Sequence, residues 1–221
     1  METVTKEREP YGKAVCSEAG ELCCVCSSKI IYLVLKRIMD IVGSLCGILV
    51  FLIPMALIAL LIKLDSRGPA FFAQERLGLN GKPFMIYKFR TMRLDAEAGG
   101  PQWAKKDDER CTRLGHFLRK TRLDELPQLY NILKGEMSLV GPRPERPYFY
   151  DVFDLYVPGF RDRLAIKPGL TGLAQVNGGY DLNPKEKLIY DMEYIMDQSL
   201  LLDVKCILKT VGLVFTHEGA R

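Results

Sequence analysis

Residues 41–62 read IVGSLCGILVFLIPMALIALLI, twenty-two positions without a charged side chain. As a straight helix this run would extend about 33 Å, enough to cross a hydrocarbon core. Soluble helices of that length carry a polar face, and this run has none, so the chain is expected to be membrane-bound. Pro54 lies inside the run and removes a helical hydrogen bond, which predicts a kink. Lys29, Lys36 and Arg37 precede the segment, and Lys63 and Arg67 follow it. Basic residues at both ends favour neither orientation of a crossing helix and suit two ends on the cytoplasmic side. On the residues alone, a kinked spanning helix and a re-entrant helix stand level.

The 221 residues divide into a polar, cysteine-containing tail (1–28), the membrane helix (29–66) and a domain-sized remainder (67–217) expected on the cytoplasmic side. The seven cysteines, four of them at Cys16, Cys23, Cys24 and Cys26, are odd in number and follow no secretory signal. That argues for reduced thiols rather than a disulfide framework. The tail also lacks the second Cys/His pair that a zinc site needs. The net charge of +4 is spread among acids, so no nucleic-acid partner is expected. Local basic clusters do occur, at Lys88–Arg90–Arg93, Arg119–Lys120–Arg122 and Arg143–Arg146, and such clusters suit phosphate.

Residues 69–93 predict a β-hairpin: two runs rich in aromatic and branched residues flank Asn80-Gly81. Residues 94–110 read as loop, RLGHFLRKT as a short helix, and Glu125–Lys134 as a second helix ending near Gly135. Residues 141–183 hold many prolines and glycines and read as irregular. Two helices close the chain. Leu188, Ile189, Met192, Ile195 and Met196 mark one apolar face. Leu201, Val204, Leu208, Val211 and Phe215 mark the other, opposite Asp203, Lys205 and Lys209. Both stripes are expected to face the core, with the second also suited to a membrane interface. The class is α+β, membrane-associated, with one membrane helix, a hairpin, several helices at the cytoplasmic membrane face and much irregular structure.

Asp124 and Glu125 stand side by side before Pro127. Asp124 suits an N-cap, Pro127 suits a first turn, and the free amides and dipole of a helix start attract phosphate. Adjacent helical residues point about 100° apart, so the two carboxylates are expected to do different jobs. Spacing alone favours the plainer reading, in which Asp124 only caps and Glu125 only sits well in the helix dipole.

Five blocks in order carry a resemblance: KRIMD, ERLGLNGKPFMIYKFRTM, RLDELPQLYNILKGEMSLVGPRP, KPGLTGLAQVNG and YIMDQSLLLDVKCILKT. From about Lys36 to Val214 the chain resembles the bacterial sugar transferases, the monotopic phosphoglycosyl transferases, in their minimal catalytic form. The resemblance implies transfer of sugar-1-phosphate from a UDP-sugar to undecaprenyl phosphate in the bacterial inner membrane, starting a polysaccharide or glycoconjugate. It implies a covalent phosphosugar on Asp124, Mg2+ held at Asp124, Glu125 as its catalytic partner, and a re-entrant helix kinked at Pro54. Arg119 and Arg143 match arginines near the phosphates; Arg90 and Gln175 match with less defined roles. Downstream glycosyltransferases are the expected protein partners, and inner-membrane lipid surrounds the anchor.

The chain departs from the family pattern twice. Ile53 stands where relatives carry Ser before the membrane proline. Gly179 stands where a basic residue often follows QVNG, which leaves Lys185 or Lys187 to take its place. Two rival readings exist: a non-catalytic module that binds polyprenol phosphate, and a glycoside hydrolase. Adjacent carboxylates are badly placed to flank a glycosidic bond, and Trp103 is the sole tryptophan.

Overall fold

The computed structural model describes residues 19–100, 102 and 108–216. Cys16 and Trp103 lie outside the described residues, as do the side chains of Cys23, Cys24 and Cys26, and with them the expectation of a loose cysteine tail.

Helix α1 runs from Ala19 to Asp65, beginning well before Lys29 and passing through Pro54. From Lys29 to Asp65 it is long and apolar enough to cross a membrane. Its surface is not uniform. Lys36, Asp40 and Ser44 are buried, as are Ile58 and Ile62. Between these two buried stretches, Leu49 to Pro54 are six consecutive exposed positions. Small residues let the first arm approach the rest of the chain: a Cβ on Gly43 would lie 2.7 Å from Leu139, and one on Gly47 3.0 Å from Leu129. The second arm packs Ile58 and Ile62 with Ala70, Phe89 and Leu118.

Strands β1 (Phe71–Leu77) and β2 (Pro83–Phe89) form the expected antiparallel hairpin, Phe71 opposite Phe89 and Leu77 opposite Pro83. Its turn places Asn80 and Gly81 at φ 55° and 73°, the left-handed region these residue types tolerate. Residues 94–100 are a run of turns, as expected for a loop. Helix α2 (Arg113–Lys120) is capped by Thr112, whose side chain accepts from the Gly115 amide. A Cβ at Gly115 would sit 1.9 Å from the Thr91 carbonyl oxygen, so only glycine lets α2 press against the end of the hairpin.

Helix α3 (Gln128–Lys134) ends at Gly135, as expected, but starts later than Glu125. Arg122, left-handed at φ 58°, turns the chain after α2, and Leu123–Glu125 form a separate 3-10 turn. Asp124 therefore sits inside that turn and is not the cap of α3, whose N-cap position is Pro127. The expectation of phosphate collected by a helix start at Asp124 is corrected with it.

The stretch 141–183 is far more regular than its Pro/Gly content suggests. It holds α4 (Pro147–Tyr156), a 3-10 segment (Phe160–Ala165), β4 (Gly169–Thr171) and α5 (Leu173–Val176). Strand β4 pairs in parallel with β3 (Ser138–Val140), a contact no local pattern announces. A Cβ on Gly169 would meet the Gly141 amide at 2.1 Å, so these glycines serve close backbone approach rather than disorder.

Helices α6 (Pro184–Met196) and α7 (Leu200–Thr216) exist as expected, but the expected apolar stripe is only part-buried on α6 and is exposed from Leu201 to Val211 on α7. On α6 the buried residues are Lys187, Asp191 and Tyr194, while Ile189 and Met196 are exposed. On α7, Leu201, Val204, Leu208 and Val211 are exposed and Asp203 is fully buried. The reason is a polar network. The Lys36 ammonium donates to Asp203 at 2.9 Å and to the Tyr194 hydroxyl at 3.0 Å, and Tyr194 donates to Asp203 at 2.6 Å. A buried ion pair satisfied in this way outranks a simple apolar stripe. It ties α1 to both closing helices.

Candidate active site

A cavity of about 410 Å3 opens between the hairpin, the 90–97 segment, α2, the 3-10 turn and the loop after β3. Nine Lys or Arg residues line it against three acids, Glu97, Asp124 and Glu145. A concave site with that balance takes an anionic ligand.

Lys88 on β2 and Arg90 just past its end line the cavity, and Thr112 and Gly115 set α2 so that Arg119 lines it too. The 3-10 turn supplies Asp124, and the Pro142–Pro144 stretch supplies Arg143. Asp124 is 8% exposed. Burial raises its pKa to about 6, and the Glu125 charge adds to that rise, while Lys88, Arg119 and Arg143 pull the other way. At neutral pH it is mostly an ionised, poorly solvated carboxylate, which is a nucleophile.

Glu125 behaves differently. Burial would raise its pKa, but Arg143 and Lys88 hold it well below the usual carboxylate range. Lys88 donates to its Oε1 at 2.8 Å, and Arg143 grips it with both Nη1, at 3.2 Å from Oε2, and Nη2. Glu125 is thus a permanent anion that aims two cations at the Asp124 side of the cavity.

Arg119 and Arg143 join Asp124 at the cavity as expected. Arg90 lines the wall, but its guanidinium clamps the end of α1, donating to the Arg67 carbonyl at 2.5 Å and the Ser66 carbonyl at 2.8 Å. Gln175 does not reach the cavity. It sits on α5 with its Nε2 3.4 Å from the Gly141 carbonyl, so β3–β4 pairing turns it towards the loop that carries Arg143. Where Gly179 lacks a basic group, Lys187 enters the lining, and Lys185 stays exposed.

With that geometry in hand, the comparison with known proteins is direct. Residues 31–217 match the bacterial sugar transferase family. The chain belongs to that family. As a bacterial sugar transferase, it is 45% identical over 194 residues to the UDP-N-acetylgalactosamine-undecaprenyl-phosphate N-acetylgalactosaminephosphotransferase of Aeromonas hydrophila. That match covers 86% of this chain and 46% of the relative. The UDP-glucose:undecaprenyl-phosphate glucose-1-phosphate transferase of Caulobacter vibrioides is 42% identical over 190 residues, covering 84% of this chain and 71% of the relative. The Escherichia coli K12 protein of the same description is 40% identical over 191 residues, covering 84% and 41%. This sugar transferase therefore spans less than half of two of these relatives.

Sequence reasoning grouped Lys88 with a basic cluster but missed its tie to Glu125. It also passed over Gln128, Glu97 and Glu145, all in the cavity wall. Gln128 carried a signal: it stands four residues after Asp124, one helical turn on.

Proposed function

We propose that this sugar transferase moves sugar-1-phosphate from a UDP-sugar to undecaprenyl phosphate through an Asp124 phosphosugar, on the cytoplasmic face of the bacterial inner membrane. The observation that carries this reading is the division of labour in the acid pair. Asp124 is buried, raised in pKa and faces the cation-lined cavity, while Glu125 is locked between Lys88 and Arg143. The relatives' names supply the substrate class, and because they differ between N-acetylgalactosamine and glucose the sugar is left open.

In the first step an Asp124 carboxylate oxygen attacks the sugar-bearing phosphorus of the donor. The bond from that phosphorus to the bridging oxygen breaks, and UMP leaves with the electron pair. Lys88, Arg119 and Arg143 offset the charge that repels an anionic nucleophile and that accumulates on the leaving phosphate. In the second step a phosphate oxygen of undecaprenyl phosphate attacks the same phosphorus. The acyl phosphate bond breaks, the lipid diphosphate sugar forms, and Asp124 returns as a carboxylate. Two half-reactions spare the site from holding a water-soluble donor and a lipid acceptor together.

Among the described residues, no group of three His, Cys, Asp or Glu could cage a cation. Asp124 at the cavity does fit Mg2+ of the kind bound by one or two carboxylates and substrate phosphates. When bound there, Mg2+ would supply further neutralisation of the diphosphate.

The re-entrant reading of α1 belongs to the same proposal. What supports it is the two-arm contact pattern: Lys36–Ile48 and Met55–Ile62 both pack on one domain, and Leu49–Pro54 between them pack on nothing described. A helix crossing the bilayer would carry one of those arms away from a domain on the other side. Residues 67–217 then form the catalytic domain, within reach of downstream glycosyltransferases.

The test is release of UMP from UDP-sugars mixed with the membrane-embedded chain, with intact-protein mass spectrometry in the absence of undecaprenyl phosphate. One added sugar-phosphate, mapped to Asp124, is expected. An adduct elsewhere, or UMP release by Asp124→Asn, overturns the nucleophile.

A further inference from the structure

The cavity wall contains a buried donor. Gln128 is 1% exposed and lines the cavity, and its Nε2 is buried with no hydrogen-bond partner among the described residues. A buried amide N–H without an acceptor destabilises a fold, so native structures rarely retain one that no ligand or water completes. A methionine would fill much the same volume without that cost.

Its position follows from the backbone. Leu123–Glu125 form a 3-10 turn, Leu126 (φ −52°, ψ −38°) and Pro127 (φ −61°, ψ −18°) are right-handed helical, and α3 begins at Gln128. The 3-10 turn leads into α3 through these two residues, which places Gln128 about one turn beyond Asp124. Both side chains line the same cavity. Glu125, one step round, does not line it and is tied to Lys88 and Arg143. The Nε of Arg90, a residue of the same wall, is likewise buried with no acceptor among the described residues.

We propose that Gln128 is a substrate-contacting residue: its Nε2 donates to a non-bridging oxygen of the phosphorus that Asp124 attacks. This rests on the proposed role of Asp124. The amide suits the task because it is neutral. The cations around Asp124 already hold the ground-state diphosphate, and each further charge there would draw the carboxylate away from the phosphorus. An oriented dipole one turn along instead strengthens its hydrogen bond as negative charge gathers on the equatorial oxygens. No proton moves to or from Gln128; the bond made and the bond broken are those at phosphorus.

The experiment uses the full chain in lipid nanodiscs with UDP-sugar and no acceptor, following the rate of the phosphosugar adduct by intact mass. Gln128→Met should slow the adduct tenfold or more at saturating donor, leave the donor KM within about twofold, and melt at the same temperature or higher, because the unused buried donor is gone. Loss of a purely structural hydrogen bond would lower the melting temperature instead. Gln128→Asn, which withdraws the amide by one methylene, should fold and fall between the two; it decides the matter if the methionine variant does not fold. Adduct formation at the wild-type rate in the folded variant overturns the proposal, as does a rate loss matched by a lower melting temperature. Absence of any adduct in the wild-type chain would strike the Asp124 reading itself, and the proposal with it.

Discussion

Asp124 and Glu125 are chemically similar, adjacent, and opposite in behaviour. The pKa of Asp124, raised to about 6, predicts an acid limb in the rate of adduct formation. The nucleophile is the ionised form, so the rate should fall tenfold per pH unit below about 6 and level off above it. Glu125→Gln should move that limb to lower pH. The substitution removes a charge that raises Asp124 and releases Lys88 and Arg143 to act on Asp124 alone. A limb unmoved, or moved upward, would separate Glu125 from Asp124. Arg143→Ala should cost on the order of 2–4 kcal/mol in kcat/KM, since it loses both a contact to phosphate and the clamp on Glu125. Arg143→Lys should recover part of this, because a point charge cannot reproduce the two-pronged grip.

At the level of elements, α1 is held at two places by different chemistry. Its first arm enters the network of Lys36, Tyr194 and Asp203, and its last turn is clamped by Arg90. Asp203→Ala strands the Lys36 ammonium in a buried site, so thermal or denaturant unfolding should register a loss of about 3–5 kcal/mol. Replacing Lys36 and Asp203 together with apolar residues should recover most of that loss. The exposed run Leu49–Pro54 makes the topology testable. Single cysteines near Lys29 and Lys63 should be protected alike from an impermeant reagent applied outside intact cells. Pro54→Leu restores the missing helical hydrogen bond and should expose one of the two. Unequal labelling in the parent chain would mean a spanning helix.

For the whole molecule, the two half-reactions predict stoichiometry. With donor alone, UMP release should stop at one equivalent per chain; adding undecaprenyl phosphate should restart it and clear the adduct. Continuous release without acceptor would indicate hydrolysis at the site. Much of this plan was legible in the sequence because it rests on local signals. Asn80-Gly81 announces the hairpin, Gly135 ends α3, and the uncharged run 41–62 lies within the long apolar helix α1.

What the sequence by itself determined is therefore whatever the chain decides within a few residues: turns, caps, the apolar anchor, and the chemical kinds of side chain offered to a ligand. The tertiary structure alone decided which of those side chains meet. Asp203 looked solvated and is buried because Lys36, 167 residues away, pairs with it. Gln175 matched a family position of undefined role, and its amide lies against the Gly141 carbonyl, beside the parallel pairing of β3 and β4. Residues 141–183 looked irregular because glycine's local freedom also permits the close backbone contacts of that pairing. In each case a partner distant in sequence satisfies a buried polar group, and the cost of leaving such a group unpaired overrides the periodicity that a short window can read.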